Sequence, residues 1–259
     1  MEDVLPVDKE YRRRRAQWAA RTSISLQMNV NDLVLVQGMR DTRETLDHWS
    51  QHGWRVIGRW FAGSAAITAA LLMSVYVIGH LTPPDPSRFS VIGVNREGTV
   101  RDLGIFLFRN SLVLALHAMA CVAGFIAGSS MPISAAQRDG VWRWVHEKAE
   151  PLAIGFVVCA TTFSLVTQAY ILGSNVSTIS NQLGLSVGTL LLVYLPHAIP
   201  ELIALYLPLA AWLMASRRGD WDQLLAATLV TVAIAVPMLL VSVSIETFVS
   251  PEILKLVLF

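Results

Sequence analysis

The sequence predicts an all-α, polytopic membrane protein: a five-helix transmembrane bundle preceded by an N-terminal cytoplasmic helical segment. Of its 259 residues, 54% are hydrophobic and only 15% are charged, whereas about a quarter of the residues in a soluble domain are charged. Five apolar windows reach the roughly 20 residues that a helix needs to cross a bilayer. Most of the Lys and Arg residues lie in alternate connections between these windows, as is usual for polytopic proteins.

The predicted N-terminal region covers residues 1–57, ahead of the first apolar window. Apolar residues recur in it at roughly helical spacing, which predicts one or two amphipathic helices lying against the inner membrane face or its loops. These apolar residues are Leu33, Val36, Leu46, Trp49 and Trp54.

A block of four arginines lies near the start of this region, beside Trp18. One interpretation is binding to anionic lipid headgroups, to which a basic residue near the surface contributes about 1 kcal/mol. The other is a topogenic signal that keeps this end of the chain inside. The block consists of Arg12, Arg13, Arg14 and Arg15.

The predicted transmembrane domain covers residues 58–259. A proline-rich stretch follows the first span, a charged loop over 137–150 the second, and an uncharged loop over 174–186 the third, while a tight turn over 216–220 joins the last two spans. The five predicted spans are 58–80, 103–128, 151–173, 188–215 and 223–249.

The distribution of basic residues predicts that the N-terminus lies in the cytoplasm and the C-terminus outside. With this orientation, the cytoplasmic segments and Arg59 at the edge of the first span hold 15 of the 20 Lys and Arg residues, in agreement with the positive-inside rule. The predicted location is therefore the cytoplasmic membrane of a bacterium, which the chain crosses several times.

Residues 195–201 read Leu-Pro-His-Ala-Ile-Pro-Glu and lie inside the fourth apolar window. Ionisable groups such as His197 and Glu201 are costly in hydrocarbon and usually face the protein interior or a water-filled cavity. Pro196 and Pro200 each remove a backbone donor, so the polar side chains either satisfy the freed carbonyl groups or form a functional site. The sequence leaves both interpretations open.

Other polar residues fall at depths that suggest partners, when about 1.5 Å is counted per helical residue. Arg109 and Asn110 in the second span and Glu246 in the fifth lie in the outer third of the membrane, which predicts an Arg109–Glu246 ion pair that holds the helices together. His117 lies near the midplane, at the depth of His197 and Glu201, and we expect a hydrogen bond from His117 to one of them. Asn110, His117, His197 and Glu201 form the predicted polar core.

Gly124 and Gly128 end the second span with a GxxxG pattern, which permits close helix approach. The pattern serves equally well within the chain or between two copies of it.

Complete catalytic and cofactor motifs are absent from the sequence. The zinc-protease pattern needs two histidines one helical turn apart with a glutamate between them, and the fourth span supplies one histidine and a glutamate four residues later. We expect no enzymatic activity, no cofactor and no bound metal.

Three segments resemble the stage II sporulation protein M family of bacterial membrane proteins. They are Phe-Leu-Phe-Arg-Asn at 106–110, followed by Gly124 and Gly128, then 195–204 around His197 and Glu201, and Ile-Glu-Thr-Phe-Val-Ser-Pro at 245–251. Order and spacing agree with the family pattern. Ala198 stands where members commonly have glycine, and Pro200 is additional.

The resemblance implies a five-helix membrane protein without known catalytic chemistry, like the family's namesake, a membrane anchor that assembles peptidoglycan-degrading partners during engulfment. The leading hypothesis is therefore a non-enzymatic scaffold whose partners are membrane lipids and either membrane proteins or a second copy of the chain, with no nucleic acid. The alternative is a transporter or a channel, in which His197 and Glu201 would form a proton or cation site on a hydrated path.

Overall fold

The computed structural model describes residues 34–130 and 141–259, and these are almost entirely helical, without a β-strand among them. The predicted all-α fold class is therefore confirmed. The helices are α1 (Val34–Leu81), α2 (Val100–Phe125), α3 (Val141–Leu183), α4 (Val187–Arg218), α5 (Leu224–Ser244) and α6 (Ser250–Leu258). Short π-helical turns extend α2 over Ile126–Ser130 and join α5 to α6 over Ile245–Val249, and a 3-10 turn, Trp221–Gln223, precedes α5.

Within these described ranges, five helical segments are long and apolar enough to cross a membrane. Each overlaps one predicted window, so the predicted number of helices that could cross a membrane is confirmed. The segments are Gly53–Leu81, Val100–Gly128, Ile154–Leu183, Val187–Arg218 and Trp221–Leu258.

Helix α1 continues without a break from the N-terminal region into the first span. The predicted junction between residues 57 and 58 therefore lies inside a helix rather than at a linker. Residues Thr42–Phe259 form one compact unit; of the other, Met1–Asp41, the structure describes only the first turns of α1. The arginine block at residues 12–15 lies outside the described residues.

The predicted loop over 174–186 is wrong for most of its length, because α3 runs to Leu183. Two hydroxyls of this segment bond to carbonyl groups one turn back, Thr178 to Ser174 (3.1 Å) and Ser180 to Ser177 (2.9 Å), so the helix accommodates these two internally. Only the turn through Gly184, which has a φ of +67°, separates α3 from α4.

The polar face of this last part of α3 binds the connection between α1 and α2. The Gln182 amide accepts a hydrogen bond from the Phe89 N–H (2.9 Å) and donates one to the Phe89 carbonyl (3.0 Å). The Ser177 hydroxyl donates to the Thr82 carbonyl (2.7 Å). A segment that the sequence presents as a polar linker is thus a docking surface for the 82–99 connection at the predicted outer end of the bundle.

The same connection also covers the end of α5 and the start of α6. The backbone of Gly98 lies against the Thr247 carbonyl, and Gly93, with a φ of +90°, lies against Pro251. A side chain at either glycine would collide with these groups, so both contacts depend on glycine.

Helix α2 begins with a capping box at the predicted outer end. The Asp102 N–H donates a hydrogen bond to the Thr99 hydroxyl oxygen (3.3 Å), and the Thr99 N–H donates one to the Asp102 carboxylate (3.0 Å). Arg96 donates to both oxygens of Asp102 (2.9 and 2.8 Å), and this hydrogen bonding raises the pKa of Arg96. The start of the second span is thereby fixed to the connection that precedes it.

Helix α4 is the central helix of the bundle, and every residue from Ala204 to Trp212 is buried. Helices α2 and α5 pack against it. In the most apolar windows of the first and third spans only 22% and 17% of the residues are buried. These two helices therefore lie at the periphery, with most of their apolar surface facing the surroundings, as lipid-facing helices do.

Candidate functional site

The segments around His197 and around Ser250 meet at the predicted outer half of the bundle. The imidazole Nδ1 of His197 lies 2.7 Å from the Ser250 hydroxyl, and both residues are buried. The ring of Tyr194 packs at a tilt against the His197 ring, with 5.5 Å between centroids. A hydrogen bond thus joins the Leu-Pro-His motif of α4 directly to the Ser-Pro motif at the start of α6.

Backbone carbonyl groups of α4 accept further hydrogen bonds from other helices. The Ser242 hydroxyl of α5 donates to the His197 carbonyl (2.6 Å), and the Ser64 hydroxyl of α1 donates to the Ile203 carbonyl (2.6 Å). Side-chain hydroxyls are common donors between transmembrane helices. These bonds attach α1 and α5 to the central helix.

His117 of α2 also binds a backbone carbonyl, and this corrects the expectation that it bonds to His197 or Glu201. Its Nδ1 lies 3.0 Å from the Leu205 carbonyl, and since a carbonyl only accepts, Nδ1 carries the proton. The ring meets that of Tyr206 edge to face (5.3 Å between centroids). One turn further along α2, the Cys121 thiol donates to the Pro208 carbonyl (3.2 Å).

The positions of these accepting carbonyls follow the prolines of α4. Pro200 and Pro208 leave the carbonyls of Pro196 and Ala204 without their usual donors four residues on. The accepting carbonyl of His197 is next in sequence to that of Pro196, and the accepting carbonyls of Ile203 and Leu205 lie on either side of that of Ala204. Helices α1, α2 and α5 therefore bond to α4 beside the carbonyls that the prolines free, and the His197 side chain bonds to Ser250 instead of to one of these carbonyls.

Glu201 lies one turn after His197, and it is half-buried. Asn110 of α2 and Ser242 of α5 lie beside its carboxyl group, while the atom Oε2 has no hydrogen-bond partner among the described residues. The Tyr206 phenol is close enough to interact with the Glu201 charge, and it donates to the amide oxygen of Gln168 in α3 (3.0 Å). Asn110 and Glu201 are thus brought together as members of one polar core.

The predicted Arg109–Glu246 contact ion pair is not found between these two described residues, whereas Arg96–Asp102 and Lys255–Glu252 do form ion pairs. Arg109 is exposed and acts on Glu246 only at longer range. Glu246 lies in the π-helical turn Ile245–Val249, close enough to Glu201 for their carboxyl groups to interact. Equal depth in the membrane was therefore not sufficient to predict a contact between Arg109 and Glu246.

The two glycines of the GxxxG pattern contact residues of the same chain. A Cβ atom at Gly124 would lie 2.7 Å from the Leu224 side chain and 2.8 Å from the Trp212 indole, and one at Gly128 would overlap the Trp221 ring. These contacts show close packing of α2 on α4 and on the start of α5.

Sequence reasoning missed the uncharged members of the core, which are Ser242, Ser250, Gln168 and Tyr206. A hydroxyl in an apolar window is inconspicuous, because serine and threonine can bond within their own helix. Of these four residues, only Ser250 could have been recognised from the sequence, because it belongs to the Ser-Pro motif at 250–251.

Comparisons with known proteins agree with the motifs. Residues 151–251 match the family model of stage II sporulation protein M. The resemblance inferred from the sequence is therefore confirmed over these residues, which include the His197 and Ser250 segments; residues 106–110 precede them. No curated protein and no solved structure gives a significant match.

Substituting Gly124 with alanine should destabilise the bundle by about 1–3 kcal/mol, because the new methyl group has no space between Leu224 and Trp212. Unfolding by dodecyl sulfate in mixed micelles measures this difference. Gly104→Ala is the matched control in the same helix, since a Cβ atom there meets nothing within 4 Å. Equal stability of the two variants would contradict the proposed packing of α2.

Substituting Ser250 with alanine should cost about 0.5–2 kcal/mol, because it removes the interhelical hydrogen bond and leaves a buried His197 nitrogen without a partner. The same unfolding assay applies. Ser244→Ala is the control, since that hydroxyl is exposed and bonds only to the Leu240 carbonyl of its own helix (2.7 Å). An unchanged stability of Ser250→Ala would show that the bond does not hold α6 in place.

Proposed function

We propose that the protein is a non-enzymatic scaffold in the cytoplasmic membrane of a bacterium, with its N-terminus inside and its C-terminus outside. Its polar core fixes the arrangement of the spans, and its N-terminal region and connections recruit partner proteins. The family resemblance indicates cell-envelope or peptidoglycan-remodelling machinery as the class of partner.

The observation that carries this proposal is the bond between His197 and Ser250 (2.7 Å). Together with the bonds to the α4 carbonyls, it supports a core whose histidines hold helices in register. In a transport pathway, the same side chains would instead need to face a hydrated passage.

The His197–Ser250 contact places a histidine base beside a serine hydroxyl, as in enzymes with a serine nucleophile. Ser250 is only 2% exposed, and the Gly93 backbone lies against the adjacent Pro251. A substrate therefore could not reach the Ser250 hydroxyl. The arrangement therefore supports a structural role for the pair.

One observation favours the alternative function, proton- or cation-coupled transport. Glu201 Oε2 is buried without a hydrogen-bond partner in the part of the chain that the structure describes, and the Glu246 carboxylate is close enough to interact with it. Two neighbouring carboxyl groups beside Asn110 are a suitable acceptor for a proton or a monovalent cation.

The first test is chemical crosslinking and affinity capture from native membranes. We expect the wild type to capture a defined set that includes cell-envelope proteins, and a His197→Ala, Glu201→Gln double variant to lose that set at equal expression, because the helices that present the binding surfaces are no longer held in register. The matched control is His80→Ala, Glu252→Gln, which removes the same two residue types from exposed positions outside the core. Retention of the same set by the core variant would contradict the scaffold proposal.

The transport alternative predicts a different result for the single variant Glu201→Gln. In proteoliposomes, this variant should abolish proton or cation flux while the protein stays folded, because glutamine cannot exchange a proton. Wild-type flux above that of empty vesicles, lost in Glu201→Gln but kept in Glu252→Gln, would favour transport. Wild-type flux equal to that of empty vesicles would exclude it for the ions tested.

A further inference from the structure

A pocket of about 70 Å³ opens between α1, α4 and the start of α5, at the predicted inner end of the bundle. It lies at the opposite end of α4 from the His197–Ser250 bond and is separate from the polar core. Its polar lining consists of Trp49, Arg59, Trp60, Arg218, Asp220 and Gln223. The proposed function makes no use of this pocket.

The charged groups of the pocket favour an anionic ligand. Arg59 and Arg218 both line it, and neither forms an ion pair within the described parts of the chain. Asp220 is the one acidic residue among the described lining residues, so the two guanidinium groups leave an excess of positive charge. Unpaired guanidinium groups present their donors in a planar arrangement that suits phosphate oxygens.

The start of α5 adds to the positive potential. Gln223 immediately precedes α5 and Ala227 lies in its first turn, and both line the pocket. No side chain caps this helix start. The N–H groups of Gln223 and Leu224 bond to the carbonyls of the preceding 3-10 turn, so the contribution of this helix end is its partial positive charge, which stabilises a neighbouring anion.

The position of the pocket along the spans corresponds to the headgroup region of a bilayer. Arg218 is the last residue of the fourth span, and Trp221 opens the fifth. Trp49 and Trp60 form an edge-to-face pair at the wall of the pocket, with 5.1 Å between ring centroids. Tryptophan is enriched at the membrane interface, and the aliphatic lining residues Val56 and Met214 give acyl-chain carbons an apolar surface.

We propose that this pocket binds the phosphate group of an anionic phospholipid, with Arg59 and Arg218 as its ligands. The bound headgroup would link α1 to α4 at the inner end, in addition to the Ser64–Ile203 hydrogen bond (2.6 Å) that joins these helices further along the bundle. A soluble phosphate has the same donor requirements, but it would make no use of the position at the membrane surface or of the apolar wall.

The test is native mass spectrometry of the purified full-length protein, titrated with phosphatidylglycerol and, separately, with phosphatidylcholine. We expect wild type to bind phosphatidylglycerol more tightly than phosphatidylcholine, and an Arg59→Gln, Arg218→Gln variant to bind phosphatidylglycerol on the order of thirtyfold more weakly. The matched control is Arg55→Gln, Arg217→Gln, which removes two exposed arginines that lie next to the pocket in sequence and do not line it. That control should retain wild-type affinity.

A second variant tests the space in the pocket independently of the arginine charges. Ala215→Leu fills the space that the lining residue Ala215 leaves and keeps every arginine, so it should weaken phosphatidylglycerol binding while circular dichroism stays unchanged. If both double arginine variants lost the same affinity for phosphatidylglycerol, the proposal would be overturned in favour of diffuse attraction of the lipid to basic residues. Displacement of the lipid by excess inorganic phosphate would overturn the assignment to a lipid, and full binding by Arg59→Gln, Arg218→Gln would overturn the site itself.

Discussion

Helix α4 has backbone carbonyl groups that it cannot satisfy by itself, because Pro196, Pro200 and Pro208 lack the amide hydrogen. In hydrocarbon no water is present to bond to such groups. Other helices bond to α4 next to one of them: Ser64 of α1 and His117 of α2 bond to the carbonyls of Ile203 and Leu205, on either side of Ala204. The bundle is therefore held together by polar bonds to one central helix, in a solvent where apolar burial gives little drive for helix association.

This constraint also explains how the spans differ. Helices α2 and α5 lie close to α4 because small residues face it, with Gly124 against the Trp212 indole. Among the described residues, helix α1 bonds to α4 through Ser64 and helix α3 through Gln168, which accepts from Tyr206 (3.0 Å). The connection over 82–99 then joins the outer ends, since it bonds to α3 and packs on Thr247 and Pro251 of the last span.

The two ends of the bundle have different chemistry. At the predicted outer end, polar groups are paired within the chain, as in the Arg96–Asp102 bridge (2.8 Å). At the predicted inner end, Arg59 and Arg218 line a pocket without a partner among the described residues. A scaffold with such ends would use protein contacts to fix its outer half and lipid contacts to fix its inner half.

The sequence by itself determined the five spans, since length and hydropathy decide whether a helix can cross a bilayer. It also identified His197 and Glu201, because ionisable groups are rare at that depth. Only the tertiary structure decided the partners of the other polar groups: His117 bonds to the Leu205 carbonyl instead of Glu201, and Arg109 and Glu246 do not form a contact ion pair. Depth is a one-dimensional property of the sequence, whereas pairing depends on how each helix is rotated about its axis, and packing against the neighbouring helices sets that rotation.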